Sequence, residues 1–525
     1  MFAQIAILVL TQFGSWEQIS WAGAHPSNPN LQIGIVQRFG ENPQDRLVIR
    51  SANGESLVLE FTADGKNTQT VSVPEVTVGI ELQPLPVPEI EEKVVISHHR
   101  SFENAAATAY RLQGLGVQTE IAQPRRWQVW AKRSVYNSPI LRSLLVLSLQ
   151  AQGMPNVQIE RRVISQKPVL TWQVGKVRYQ RQVLHLRARG DRLWVNDRLY
   201  GGSLRLQPNA YGTYTLVNIV PLETYLRGVV PHEIGYQAPY AAVQAQAVLA
   251  RTYVLANRQR FAVDNYELCA DTHCQVYKGL QDTSPIADQA IADTQGQVLT
   301  YQGRLIDALY SSTTGGITAN FTDVWDGAPR PYLQAVIDMV NPPFSLAELH
   351  LSSETNFRNF LAQRQNLPFN EQGWRTFSWQ KDSSLAEIRS SLLAFLREAG
   401  DRQTQFSRIN SLRVSERAPS GRVSQLTVST DRGEITIRKD EIIDAFTAPN
   451  SLFFYVQPLV AEDGKTLTGY RFIGGGLGHG VGMSQTGAYR LARMGWSYQQ
   501  ILAFYYRGTK LQTLGRDAIA YEPQP

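Results

Sequence analysis

The chain has 525 residues, 43% of them hydrophobic and 18% charged, so it can fold into about two to four domains and is not a largely disordered polymer. Lysine plus arginine total 51 against 45 aspartate plus glutamate, a formal +6 that suits an anionic partner such as nucleic acid, membrane or cell wall, or is ordinary surface charge. No basic stripe interleaved with aromatics and no zinc-finger spacing occurs, which argues against nucleic acid, and no apolar run reaches the roughly 18 residues of a strong transmembrane helix.

Residues 1–24 imitate a signal peptide: an apolar run from Phe2 to Leu10 precedes a small-residue site at Ala22-Gly23-Ala24. No cation precedes the run, the first being Arg38, so a buried first strand or a misplaced start codon fits the same residues. Residues 25–81 read as a short β-rich segment, with LQIGIVQRF, DRLVIRS, ESLVLEFTA and TQTVSV as strands. Residues 82–92, with three prolines, read as a linker. Residues 93–166 then alternate: VVISHH, the helix FENAAATAYRLQGLG, QTEIAQ, RWQVWAKR, the helix SPILRSLLVLSLQAQG and VQIERRVI. That β-α-β-β-α-β order predicts a ferredoxin-like α/β domain, and it resembles a SPOR module, the glycan-binding unit of cell-wall proteins; a purely structural domain has the same order. Residues 170–225 are β-rich, a helix follows over 239–260, strands and loops fill 268–340, and 345–400 reads as helical. Strands return over INSLRVSERAPSGRVSQLTVSTDRGEITIR, and two helices, QTGAYRLARMGW and YQQILAFYYRG, close the chain.

Four places hold chemistry-bearing residues. Glu233 sits among Val229, Val230 and Ile234, whose desolvation raises a carboxyl pKa toward the range of a general acid; Glu223 is its competitor. On the helix that follows, Gln244, Ala247, Val248 and Arg251 share one face, which suggests polar groups held in a cleft or the solvated edge of a core helix. The run Tyr310-Ser311-Ser312-Thr313-Thr314-Gly315-Gly316 offers hydroxyls for sugars, or simply a polar turn. In Gly474–Gln485, six glycines in nine residues bring backbone close to something or take φ > 0 several times, but no GxGxxG, P-loop or GxSxG pattern fits; His479 there is a candidate ligand-facing side chain. Cys269 and Cys274, with His273 between, leave open a disulfide, a metal site short of a fourth ligand, or free thiols.

Taken together, VPLETYLRGVVPHEI, AVQAQAVLARTY, CQVYKG, YSSTTGGITAN and GLGHGVGMSQTGAYRLARMGWSYQQILAFYYRGTKL resemble the SpoIID/LytB family, in its order and spacing, over roughly 170–515. The resemblance implies a multi-domain α+β protein: a β-rich catalytic core over 170–515 with helices bordering a cleft and an insertion around 343–410, which is a candidate lid, behind the SPOR-like domain. It implies an exported enzyme of the periplasm or cell wall that cleaves the MurNAc–GlcNAc β-1,4 bond of peptide-stripped peptidoglycan by lytic transglycosylation, leaving 1,6-anhydro-MurNAc ends. Glu233 falls on the family's catalytic glutamate, and Gln244, Arg251, Tyr310, Ser311, Gly315, His479, Ser484 and Gln485 on substrate-binding positions. One departure is Gln244, where many members carry lysine. No cofactor is required; a structural zinc at Cys269, His273 and Cys274 is the metal site in view, with the disulfide as its alternative. The other role in the family is that of a non-catalytic, peptidoglycan-binding enhancer of an N-acetylmuramoyl-L-alanine amidase.

Overall fold

In the computed structural model, residues 28–62, 67–401 and 403–514 are described. The apolar run and cleavage-like site of residues 1–24 lie outside them. The strand Asn30–Phe39 buries Leu31 and Ile33 and pairs antiparallel with Tyr214–Pro221, so the N-terminal β segment is built into the core rather than set before it. Seven strands make this sheet, in the order Leu268–Cys269, Asn30–Phe39, Tyr214–Pro221, Ser203–Pro208, Leu184–Ala188, Leu57–Thr62, Thr68–Val73.

The proline-rich stretch 82–92 is not a linker. It lies inside one strand of 25 residues, Glu75–His99, which pairs antiparallel with Gln158–Val174. The register breaks between Pro84 and Glu89, and Pro86 and Pro88 fall in that break, where a missing N–H costs no ladder bond. The same long strand pairs with Arg46–Ser51 and Trp127–Ala131, at the centre of an eight-stranded sheet.

The β-α-β-β-α-β order of 93–166 is present. Helix α1 (Phe102–Gly114) is capped by Ser101, and α2 (Pro139–Ala151) by Ser138 with proline in its first turn. Ala105, Leu112, Leu145 and Leu149 pack with Val94, Ile96 and Val129 on one sheet face. The other face carries Val95, Ala122 and Trp130 against Ala210, Tyr211 and Val263 of the core. The α+β architecture therefore holds, but a free-standing ferredoxin-like domain does not: its strands extend into a shared sheet and its second face is closed by the core.

Helix α3 (Leu222–Ile234) runs into α4 (Tyr240–Ala256), which is buried almost all round. The 343–410 stretch is likewise joined to the core, since its strand Trp379–Ser384 pairs with Leu467–Gly474. A clasp links this half of the protein to the α1 module. Arg126 donates to Glu441 at 2.5 Å and Asp444 at 2.8 Å, Arg100 Nε to Asp444 at 3.0 Å, and Asn104 to Asp440 at 2.8 Å. Among the described residues no helix is long and apolar enough to cross a membrane.

Candidate functional site

Helix α3 ends where Gly235, at φ 85°, donates its N–H to the Pro231 carbonyl. That termination leaves Glu233, on the last turn, at the floor of a cleft of ≈ 970 Å³. Three layers line the cleft. The module contributes Arg100, Phe102, Arg125 and Trp127; the core Glu233, Tyr310, Ser311, Ser312, Trp325 and His479; the helix Leu385–Glu398 contributes Ala394 and Phe395.

Burial pushes the Glu233 carboxyl up from 4.5 to about 7, and hydrogen bonds from Val276, Tyr310 and Gln485 pull it back only in part. The Val276 N–H donates to its Oε1 at 2.7 Å. Tyr310 stands in a relay: the Tyr225 hydroxyl donates to the side-chain Oε1 of Gln275 at 3.3 Å, and Gln275 Nε2 donates to the Tyr310 hydroxyl at 3.1 Å. Burial, then the Glu233 charge, lifts the Tyr310 phenol well above its usual range, so it stays a donor. The two distant segments of the sequence meet here. Gln485 Nε2 donates to the Glu233 carbonyl at 2.9 Å and reaches Gln246 at 3.4 Å, and the Tyr489 hydroxyl donates to the Ile234 carbonyl.

His479 lines the cleft with its ring 5.1 Å from that of Trp325. Burial holds it down at about 4, so it is neutral; Nδ1 accepts from the Val481 N–H at 3.0 Å, which leaves Nε2 to carry the proton. Nearby, Glu103 from α1 is paired with Arg260 at 2.5 Å. That charge offsets the burial of Glu103 and holds its carboxyl below the usual range.

Other predicted residues are elsewhere. Arg251 is fully buried and does not face the cleft. Its Nε and Nη2 donate to Glu223 at 2.8 and 2.7 Å, and Nη1 to the Gln297 carbonyl at 3.1 Å. A face assigned by helical spacing held no information on which way α4 was turned. The pair also removes Glu223 as a rival to Glu233. Gln244 is half-exposed and outside the cleft lining, while Gln246, two residues on, is the buried glutamine beside Gln485.

Gly315 and Ser484 serve a buried carboxylate that the sequence did not single out. Glu371, fully buried, accepts from Thr314 N at 2.5 Å, Thr314 Oγ1 at 3.0 Å, Gly315 N at 2.8 Å, Gly316 N at 3.0 Å and Ser484 Oγ at 2.5 Å. The polar turn and the serine thus organise one another around Glu371, next to the Tyr310–Ser311 strand, which pairs parallel with Met483–Ser484. The glycine run does admit close neighbours, and they are protein: a Cβ at Gly475 would lie 2.3 Å from Arg364 Nη2, and one at Gly480 2.4 Å from Arg422 Nη2.

Cys269 and Cys274 are joined as a disulfide, Cα atoms 5.6 Å apart. Two thiolates are therefore not available as ligands, His273 stands exposed beside them, and no group of three metal-ligating side chains gathers among the described residues. The structure has the disulfide, which was the alternative to zinc at these residues. The bridge has a position that matters, because the same short loop supplies Gln275 to Tyr310 and the Val276 N–H to Glu233. Both were legible only as part of the CQVYKG segment, with no chemistry of their own to mark them.

Comparison with known proteins gives a match of residues 210–301 to a model described as stage II sporulation protein, and of 319–482 to a domain of unknown function (DUF8618). An uncharacterized protein of Brachyspira hyodysenteriae is 29% identical over 63% of this chain and 77% of its own length. The amidase enhancer of Bacillus subtilis is 29% identical over 60% of this chain, but the match spans only 48% of that protein. Stage II sporulation protein D of Bacillus subtilis is 25% identical over 59% of this chain and 80% of its own length. Neither family model covers the α1–α2 module.

Proposed function

We propose that this chain, which belongs to the broad SpoIID/LytB-like family, is an exported, peptidoglycan-associated protein that lays a glycan strand in the cleft over Glu233 and enhances an N-acetylmuramoyl-L-alanine amidase. The match to the amidase enhancer supports that role over an enzymatic one. The observation that carries it in the molecule is the cleft: ≈ 970 Å³, with Ser312, Asn450, Trp325 and Phe395 among the residues that line it. Sugars present hydroxyls to such donors and flat C–H faces to such rings.

A second reading is favoured by one specific observation, the Glu233 carboxyl at about 7 on the cleft floor. In this reading the protein is a lytic transglycosylase. Glu233, protonated, gives its proton to the leaving O4 of the MurNAc–GlcNAc bond as C1–O4 breaks. Its carboxylate then takes the proton of the sugar's own 6-hydroxyl as that oxygen bonds to C1, leaving a 1,6-anhydro end. No water is placed, so no second carboxylate is needed. Tyr310 holds the carboxylate between the two transfers.

Both readings are tested with amidase-treated and intact peptidoglycan, the native chain and Glu233→Gln, followed by mass spectrometry, pelleting and an amidase rate assay. Pelleting and a faster amidase with no glycan fragments, in both proteins, support the enhancer. Anhydro-MurNAc ends from the native chain alone support the transglycosylase. Reducing ends sink the 6-hydroxyl mechanism, failure to pellet sinks the enhancer, and failure to pellet with no fragments sinks both readings.

A further inference from the structure

Helix α2 has an unusual outer face. Ile140 is 72% exposed, Leu144 59%, Leu147 63% and Leu141 44%, while its inner face buries Arg142, Leu145 and Leu149. The bare residues Ile140, Leu144, Leu147 and Ala151 are spaced four, three and four apart, which is the spacing of a helix–helix seam. The four large side chains leave on the order of 500 Å² of apolar surface bare, the upper end for a monomer's largest patch. Set against the same four side chains of a second copy, that surface approaches the roughly 1,000 Å² in total that a specific interface should clear.

We propose that this face is the seam of a homodimer, covered by the same helix of a second copy of this chain. Charge selects that occupant. The helix, PILRSLLVLSLQA, has no acid, and its one cation, Arg142, is turned inward to Glu92 at 2.6 Å. The positions flanking the stripe are Leu141, Ser143, Ser148 and Gln150, all uncharged. An isologous contact places each patch against itself, so a patch with a net charge repels its copy and an uncharged one does not. A membrane surface fits less well, because an interfacial helix carries lysine or arginine along its polar side. Elsewhere in the module the second sheet face is closed by the core, and Arg126 is clasped to Glu441 and Asp444. No residue of α2 lines the cleft, so pairing leaves the cleft open and sets two of them in one particle.

Sedimentation of the full chain over a concentration series tests the seam, with Leu144→Glu and Leu147→Lys as variants. Both side chains are exposed, so the circular dichroism of each variant should match the native chain, and so should its urea midpoint at a protein concentration where the native chain is itself dissociated. The native chain is expected to sediment at twice 58.8 kDa, and each variant to dissociate at concentrations at least about tenfold higher. A native chain that stays monomeric up to about 100 μM overturns the proposal, as does a dimer that neither variant weakens. Association with lipid vesicles that Leu144→Glu abolishes, without a dimer in solution, assigns the face to a membrane and overturns it too.

Discussion

Replacing Glu371 by alanine is expected to unfold the wall of the cleft, because the carboxylate is the shared acceptor of five donors. Three are backbone N–H groups, of Thr314, Gly315 and Gly316, and two are the hydroxyls of Thr314 and Ser484. Water cannot replace it at a fully buried position. At about 1 kcal/mol or more for each donor left unpaired, the cost is on the order of 5 kcal/mol, a large part of the 5–15 kcal/mol by which a domain is usually stable. The buried guanidiniums of Arg364 and Arg422 also lose a nearby negative charge. One term runs the other way. Asp338 is held up at about 8 by its burial and by the Glu371 charge, so removal of that charge relieves it. Urea unfolding at pH 7, followed by tryptophan fluorescence, measures the loss, and hydrogen exchange over residues 311–317 locates it. Glu371→Gln keeps the size but sets an NH₂ against N–H donors, so it should recover little. A midpoint shift worth under about 1 kcal/mol, with the 314–316 amides still protected, would refute the assignment of Glu371 as the anchor of this turn.

Glu233→Gln should alter the pH dependence of stability. A carboxyl lifted from 4.5 to about 7 contributes stability that is complete below about pH 4.5 and lost as the pH rises through about 7. Glutamine loses none of it, so the variant should gain on the native chain across that window, by up to roughly 3 kcal/mol; a constant difference would refute the burial argument. If the glycan is cleaved, the native rate should fall above about pH 7 as the proton donor is lost. Arg251→Leu should cost about 3–5 kcal/mol by stranding Glu223, whereas Arg251→Leu with Glu223→Leu should recover most of it. Equal losses in the single and double variants, measured by urea unfolding, would refute the stranding of Glu223 as the source of the cost. Arg126→Ala removes both bonds to Glu441 and Asp444, so hydrogen exchange over 441–445 should rise by about tenfold or more while α4 stays protected.

The parts of this molecule that were legible are those whose signal is local. The helical stretches of α1 and α2 and the order of elements in 93–166 follow from neighbours within a few residues, and the structure has them. Residues 82–92 went wrong because proline was counted by composition, whereas its cost depends on whether the ladder needs that N–H, and the register break removes the need at Pro86 and Pro88. In α4, spacing gave a stripe but not its rotation. The helix is buried nearly all round, so Gln244, Gln246 and Arg251 look alike in sequence, yet the first is only partly buried, the second reaches Gln485 and the third Glu223. Glu371 had no local mark at all; its five donors come from Thr314 to Gly316 and from Ser484, far away along the chain. The same reasoning explains the glycine run. The notion that something must lie against Gly475 and Gly480 was sound, and what lies there is Arg364 and Arg422, whose side chains reach in from a stretch first taken as a lid and from the hairpin beyond it. The walls of the cleft are therefore held from outside the segment that the sporulation model covers. If the cleft holds glycan, as proposed, the module and the 343–460 stretch, both outside the 210–301 match, should be needed for pelleting with peptidoglycan.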